Sequence, residues 1–211
     1  MRKILILASL FILMLSLGVS AEKFAFDAEK LDFVGGLTYN NFANKETEDD
    51  KEITKEFKEL DNGIGFYAGL RYPLQENIAL GIGLDRAAGS AKKDKIAVDR
   101  SILGPYAEVV YQVNEFIDVS AALAYYLYDS TRTEDTDKTE CTGNGIGFLV
   151  GGSYEYPLQD GFALKGSVGY RMATIDLKEQ TVDDKKVDIT DQKMKIDLSG
   201  FRVSAGISYS F

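Results

Sequence analysis

The last eleven residues of the chain alternate strictly between apolar residues and residues that are polar or very small. The apolar set is Phe201, Val203, Ala205, Ile207, Tyr209 and Phe211, and the other set is Arg202, Ser204, Gly206, Ser208 and Ser210. Successive side chains of a β-strand point to opposite faces, so one face of this segment is wholly apolar. A tilted strand of about 9–11 residues crosses a bilayer. The pattern therefore predicts a transmembrane barrel strand with its apolar face toward lipid.

Seven earlier segments repeat this alternation, at 31–40, 64–72, 78–85, 103–113, 117–128, 146–156 and 162–172. The connections alternate in length. Residues 73–77, 114–115 and 157–161 predict tight turns, whereas 43–62, 88–99, 129–143 and 173–199 predict long polar loops. Short turns on one side and long loops on the other are typical of outer-membrane barrels. The predicted fold class is all-β, an eight-stranded antiparallel up-and-down transmembrane β-barrel, whose closure pairs every backbone group within the membrane.

The segment before the last strand departs from the alternation. Ile196 and Leu198 have the opposite parity to the apolar residues of the final strand, which predicts a β-bulge near Gly200. Apolar residues at 175, 177, 187 and 189 predict that the last hairpin continues as a ribbon beyond the membrane.

The amino-terminus has the composition of a secretory signal peptide. Arg2 and Lys3 precede an apolar run at 4–17, and small residues at 19–21 form a cleavage site. We predict a signal peptide at 1–21 and a barrel domain at 22–211. Removal of the signal peptide takes away two positive charges and no negative charge, so the net charge of −9 becomes −11. This acidic balance argues against nucleic acid as a partner.

The chain contains no histidine, which excludes Ser-His and Cys-His nucleophile systems and any histidine-ligated metal site. We predict no catalytic residue, cofactor or metal site, and no enzymatic activity. Acidic segments at 47–52 and 133–140 carry oxygen ligands for divalent cations, but their spacing matches no calcium loop, so they are interpreted as solvated surface. Cys141 is the only cysteine, so no intramolecular disulfide can form, and its role is left open.

Nine charged residues have the inward parity of the predicted strands and are the candidate lumen residues. Asp32, Arg71, Asp118, Glu155 and Lys165 fall near the turn end, Asp85, Arg171 and Arg202 near the loop end, and Glu108 near mid-height. An eight-stranded barrel is just wide enough to be filled by side chains. The first interpretation is a packed lumen in which these charges pair, because an unpaired buried charge is costly. The alternative is a narrow water-filled path lined by the same charges.

With its final Tyr209 and Phe211 and its eight amphipathic strands, the chain resembles the small outer-membrane β-barrel proteins of Gram-negative bacteria, of the OmpX and OmpA-barrel types. The resemblance implies an integral outer-membrane protein with a structural, adhesion or envelope-integrity role. It also implies a monomer in contact with outer-membrane lipid and lipopolysaccharide, with a host or surface ligand at the acidic loops. In that family the terminal aromatic residues act in recognition by the outer-membrane assembly machinery.

Two alternative functions remain beside this one. The first is a narrow porin-like channel for ions or small solutes. The second is a soluble lipocalin-like carrier, which also has eight strands but turns its apolar face inward. A lipocalin typically carries a Gly-x-Trp signature, and this chain contains no tryptophan.

Overall fold

The computed structural model describes residues 27–43, 45–48, 51–53, 62–135, 137–182 and 185–211. The predicted signal peptide lies outside these residues. The strands are β1 Asp32–Asn41, β2 Lys45–Glu48, β3 Lys51–Ile53, β4 Asn62–Gln75, β5 Ile78–Lys93, β6 Ile96–Gln112, β7 Ile117–Glu134, β8 Asp137–Pro157, β9 Phe162–Val182, β10 Lys185–Asp188, β11 Lys195–Asp197 and β12 Gly200–Ser210. Two short 3-10 turns lie at Ala28–Lys30 and Thr190–Gln192. No helix among the described residues is both long enough and apolar enough to cross a membrane.

Eight of the strands form a closed antiparallel ring in the order β1, β4, β5, β6, β7, β8, β9 and β12. The ring closes at the last strand, because β12 pairs with β1 on one side and with β9 on the other. Ser210 lies opposite Asp32, and Tyr209 lies opposite both Phe33 and Phe162. The predicted fold class is confirmed.

The outer face of the ring is apolar over the predicted height, because the alternation has the predicted parity in each of the eight strands. Leu37, Ile64 and Phe201 are 68–70% exposed, whereas their chain neighbours Thr38, Gly63 and Arg202 are buried. We call this outer surface the apolar belt. Its large members are Phe33, Leu37, Tyr39, Ile64, Phe66, Leu70, Ile82, Leu84, Leu103, Tyr111, Val119, Leu127, Phe148, Val150, Tyr156, Leu164, Val168, Tyr170, Phe201, Val203, Ile207 and Phe211.

The connections at 88–99, 129–143 and 173–199 were predicted as long loops, but their described residues are largely paired strands, so that prediction was wrong. β5 and β6 stay paired until the turn at 94–95, and β7 and β8 stay paired until the turn that begins at Asp135. Outside the lipid the outer face need not be apolar, and there the apolar residues face inward instead. Ile102 and Ile175 are buried in these extensions. The predicted ribbon is present, because β10 pairs with β9 from Lys185 opposite Val182.

The bulge predicted near Gly200 is also absent. β11 and β12 keep a single register against β9, since Ile196 lies opposite Ile175 and Gly200 lies opposite Arg171. Ile196 and Leu198 have the opposite parity because they face the lumen, where both are buried. The described strand pairs change register elsewhere, between Pro73 and Gln75 in β4 and between Thr142 and Gly143 in β8.

Candidate functional site

The end of the lumen nearest the short turns contains a network of ion pairs centred on Arg71. Its Nε lies 2.8 Å from Oε1 of Glu108, and its Nη1 lies 3.6 Å from Asp118 and 3.7 Å from Glu155. Lys165 reaches the same carboxylates, at 3.2 Å from Oδ2 of Asp118 and in contact with Oε1 of Glu155. We call these five residues the turn-side network. They come from β4, β6, β7, β8 and β9, so the network connects five of the eight strands of the ring.

A second network lies further along the lumen and is centred on Asp85. Its Oδ2 accepts from Nη2 of Arg171 at 2.5 Å and from the hydroxyl of Tyr126 at 3.3 Å, while Oδ1 lies 3.4 Å from Nη2 of Arg202. Arg171 also donates from Nε to the Tyr126 hydroxyl at 3.0 Å. Asp85 and Arg171 are each only 1% exposed. We call these four residues the hairpin-side network.

A small cavity of about 60 Å³ separates the two networks. Hydroxyl groups line much of it, including those of Tyr67, Tyr106, Ser167 and Ser204, and the two serine oxygens lie 2.5 Å apart. The Arg202 guanidinium lies 5.0 Å from the centre of the Tyr67 ring. A water molecule needs roughly 10–15 Å³ of such space, so the cavity has room for a few waters and for nothing much larger.

An apolar cluster fills the lumen beyond the hairpin-side network. Ile175 at its centre has no exposed surface. Ile189 is brought to the cluster by the segment between β10 and β11, where its N–H donates to the Lys178 carbonyl at 2.9 Å. We call this group the apolar plug. Its buried members are Phe42, Ala87, Ile102, Ala124, Tyr126, Tyr128, Ala173, Ile175, Leu177, Ile189, Ile196 and Leu198.

The nine candidate lumen residues face inward, and eight of them belong to the two networks. Glu108, expected near mid-height, joins the turn-side network through Arg71. Asp32 is half-buried at the turn-side mouth, beside a cavity of about 140 Å³, and belongs to neither network. Sequence reasoning missed the plug and the role of Tyr126. The available signal was the inward parity of Ile102, Ile175, Leu177, Ile196 and Leu198.

The terminal aromatic residues lie on the outer face near the turn-side rim. The Tyr209 ring lies 4.6 Å from the Phe162 ring and 5.0 Å from the Phe211 ring. These contacts extend the apolar belt across the seam between β12 and β9.

Neither the acidic segments nor the cysteine forms a metal site in the described part of the chain. No group of three or more histidine, cysteine, aspartate or glutamate side chains is placed there to hold a metal ion. Cys141 is half-buried in the extension of β8, opposite Ser130 of β7. Burial raises the pKa of its thiol, and the negative charge of Glu46 adds to this effect.

The family model of the outer membrane protein beta-barrel domain matches residues 10–211, which is nearly the whole chain. The chain belongs to this family. It is therefore an outer-membrane β-barrel protein that contacts lipid, and the soluble carrier alternative is wrong. No curated protein sequence matches the chain significantly.

Solved structures of other outer-membrane proteins share the fold. Ail, the attachment invasion locus protein of Yersinia pestis, is 14% identical with a TM-score of 0.54, over 85% of this chain and 97% of Ail. A second structure of Ail, in complex with the heparin analogue sucrose octasulfate, has a TM-score of 0.53 at 14% identity, over 85% and 99% of the two chains. A major outer membrane protein from Thermus thermophilus is 13% identical with a TM-score of 0.51, over 86% and 99%.

Proposed function

We propose that this protein is a closed, monomeric outer-membrane barrel with a structural, adhesion or envelope-integrity role, and that its extracellular hairpins are the functional surface. The observation that carries the proposal is the packing of the lumen. Two ion-pair networks and the apolar plug succeed one another along it. The paths open to water are thereby reduced to small separate spaces.

The networks favour a closed lumen over the narrow-channel alternative. A conducting path needs continuous water, yet Asp85 and Arg171 bond to each other across the lumen with almost no exposed surface. Breaking a buried ion pair leaves a charge without a partner, which costs about 3–5 kcal/mol. Ions would then have to pass the plug around Ile175, which is fully buried. The cavity between the networks is the feature that a channel would use, and it is too small to connect the two ends.

The chemistry of the chain also favours a role other than catalysis. The sequence contains no histidine. The buried carboxylates of Asp85, Glu108 and Asp118 are each paired with an arginine or a lysine, so the contacts assign them a structural role.

The extracellular hairpins have the stiffness expected of an interaction surface. β8 and β9 are 21 residues long, about twice what a membrane crossing requires. Ladder hydrogen bonds hold their extensions on the outside and the plug supports them on the inside. Ion pairs occur near the hairpin ends, as between Lys95 and Asp135 at 3.0 Å and between Lys186 and Glu179 at 2.5 Å. The likeness to Ail shows the shared fold only, so the role is argued from these features.

The first test is the conductance of the refolded chain in a planar bilayer. We expect no stepped conductance while heat-modifiable migration in detergent gels shows that the barrel has formed, and a porin added to the same membrane serves as the positive control. Reproducible steps from the chain alone would contradict the closed lumen and support the channel.

The hairpin surface is tested separately, with a barrel whose β5–β6 and β7–β8 hairpins are cut back to short turns above the apolar belt. We expect this variant to reach the outer membrane, while cells that produce it lose attachment to a host-cell monolayer or become sensitive to detergent. Unchanged attachment and unchanged detergent resistance would contradict a function in these hairpins.

A further inference from the structure

A groove of about 610 Å³ crosses the outer face of the barrel at the upper edge of the apolar belt. Its floor is a single row of directly opposed, outward-facing residues on five successive strands. Tyr39 lies opposite Ile64, Ile64 opposite Ala88, Ala88 opposite Ser101, and Ser101 opposite Asp129. The two central side chains are small, and the residues at both ends are larger. The row is therefore concave at its centre.

The groove is continuous with the lipid-facing surface. Barrel strands tilt by about 35–45°, so a row perpendicular to them is inclined to the membrane plane. At one end Tyr39 and Ile64 belong to the apolar belt, and at the other Asp129 continues onto the polar outer face of the hairpins. Tyr39 donates to Oδ1 of Asn62 at 2.7 Å and Asn41 donates to the same oxygen at 3.2 Å, which fixes the wall at the first end. A molecule in this groove would touch both lipid and water.

A single cation lies in the belt directly below the groove. Arg86 faces outward in the next row toward the membrane, between Phe66 of β4 and Leu103 of β6. The same row continues into Leu37 and Leu127. No hydrogen bond or ion pair joins the exposed Arg86 guanidinium to another residue in the part of the chain that the structure describes. A basic residue on the lipid face is destabilising, most strongly at mid-membrane and less near the interface. An anion at this level would offset that cost.

The groove walls carry hydrogen-bonding groups suited to a sugar. Ser90, Ser101 and Thr131 supply hydroxyls, and the carboxylates of Asp99 and Asp129 accept from sugar hydroxyls. Asp99 lies opposite Ser90, two rows beyond Arg86. The carboxylates of Asp99 and Asp129 therefore lie on the side of the groove away from the Arg86 guanidinium. The guanidinium fork of arginine matches a phosphate group in a bidentate manner.

We propose that this groove binds the phosphorylated saccharide headgroup of an outer-leaflet glycolipid. The phosphate lies on Arg86, the sugar ring covers Ala88 and Ser101, and the acyl chains run down the apolar belt below. This inference concerns the outer face and does not depend on whether the lumen conducts or what the hairpins bind.

The test measures the binding of purified diphosphoryl lipid A to the refolded full-length mature barrel, by native mass spectrometry from detergent. Arg86→Gln removes the cation and Ala88→Phe fills the floor. Lys92→Gln is the matched control, because Lys92 faces outward on the same strand but lies beyond the groove. A hydrogen bond to a charged group contributes at least about tenfold in affinity, so we expect Arg86→Gln to weaken binding by that factor or more. We expect a similar loss for Ala88→Phe and no change for Lys92→Gln.

Two further measurements exclude weaker explanations. Dephosphorylated lipid A and phosphatidylglycerol are offered to the unmodified barrel, and we expect both to bind at least about tenfold more weakly than diphosphoryl lipid A. In pure phosphatidylcholine, Arg86→Gln should be at least as stable to urea as the unmodified barrel. The proposal is overturned if Arg86→Gln binds lipid A normally, because Arg86 would then not hold the phosphate. It is also overturned if phosphatidylglycerol binds as well as lipid A, because the groove would then select only for negative charge.

Discussion

At the level of single residues, the lumen is held together by carboxylates, and Asp85, Asp118 and Glu155 each pair with two cations. Asp85 is the clearest example, since Arg171 and Arg202 approach its two oxygens from β9 and β12. The Tyr126 hydroxyl completes the shell of Asp85. These partners come from β7, β9 and β12, none of which is next to β5 in the ring. The hairpin-side network therefore links strands across the lumen, in addition to the ladder hydrogen bonds between neighbouring strands.

Replacement of Asp85 by alanine should therefore be strongly destabilising. Two buried guanidinium groups would lose their shared anion, which predicts a loss of about 3–5 kcal/mol in the free energy of unfolding. Urea unfolding in lipid vesicles, followed by heat-modifiable migration, measures this loss. Asp32→Ala is the matched control, because Asp32 is half-buried at the mouth and belongs to neither network, and it should cost less than about 1 kcal/mol. Equal effects of the two substitutions would contradict the assigned role of Asp85.

The thiol of Cys141 provides a pH-dependent prediction. Burial raises its pKa, so its reactive thiolate forms at higher pH than that of an exposed cysteine. The rate of iodoacetamide alkylation in the folded barrel should rise with pH along a curve displaced to the alkaline side. The comparison is a cysteine placed at exposed Asp137 in a Cys141→Ser background. Superimposed rate profiles would show that Cys141 is not shielded.

At the level of the elements, adjacent strands approach so closely at some positions that only glycine fits. A Cβ atom on Gly65 of β4 would lie 1.8 Å from the carbonyl oxygen of Arg86 on β5. Gly166 of β9 faces outward, and a Cβ there meets nothing within 4 Å. The two glycines thus differ in their surroundings although both lie in transmembrane strands.

Gly65→Ala should accordingly force β4 and β5 apart. Overpacking of this kind typically costs about 1–3 kcal/mol, and contact with backbone predicts a value at the upper end or beyond. Gly166→Ala should leave the urea midpoint unchanged or slightly raised, because alanine reduces the freedom of the unfolded chain. The two variants are compared by urea titration in the same lipid. A loss at Gly166 as large as that at Gly65 would refute the steric explanation.

The same elements explain which part of the fold was predictable from the sequence. Within the membrane, side chains alternate every two residues and the apolar ones face lipid. The outward orientation of residues such as Leu84 and Phe201 could therefore be predicted without coordinates. Above the membrane the apolar set changes side, from outward Leu84 to inward Ala87 in β5. A prediction based on apolar residues facing lipid no longer finds its pattern in this part of the strand, and so assigns it to a loop.

The pairing of the lumen charges was less predictable, for a geometric reason. Parity alone shows that Arg71, Glu108 and Lys165 point inward. Which of them meet depends on the registers of several successive strands, because partners such as Arg71 and Glu108 are separated in the ring by β5, where Gly81 lies opposite both. No single strand pair contains that information.

At the level of the whole molecule, the barrel has one part suited to the lipid of the membrane and another part suited to water. Its lower part has an apolar outside and a charged inside, and its upper part has a polar outside and the apolar plug inside. β5 crosses from one regime to the other within a single strand. Outward Ile82 and Leu84 are exposed members of the apolar belt, whereas Ser90 and Lys92 on the same face are polar.

A spin-label scan along β5 should locate this boundary. In a Cys141→Ser background, labels at positions 80, 82 and 84 should be accessible to oxygen, which concentrates in lipid. Labels at 90 and 92 should be accessible to a water-soluble nickel complex, and a label at inward-facing Ala91 should be shielded from both. The crossover should fall between Leu84 and Ser90, just above Arg86, because on the neighbouring strand β6 the outward residues change there from apolar Leu103 to polar Ser101 and Asp99. Oxygen access that persisted to position 92 would mean that the hairpins are embedded in lipid, and a crossover below position 82 would mean that the apolar belt is too short to cross the membrane.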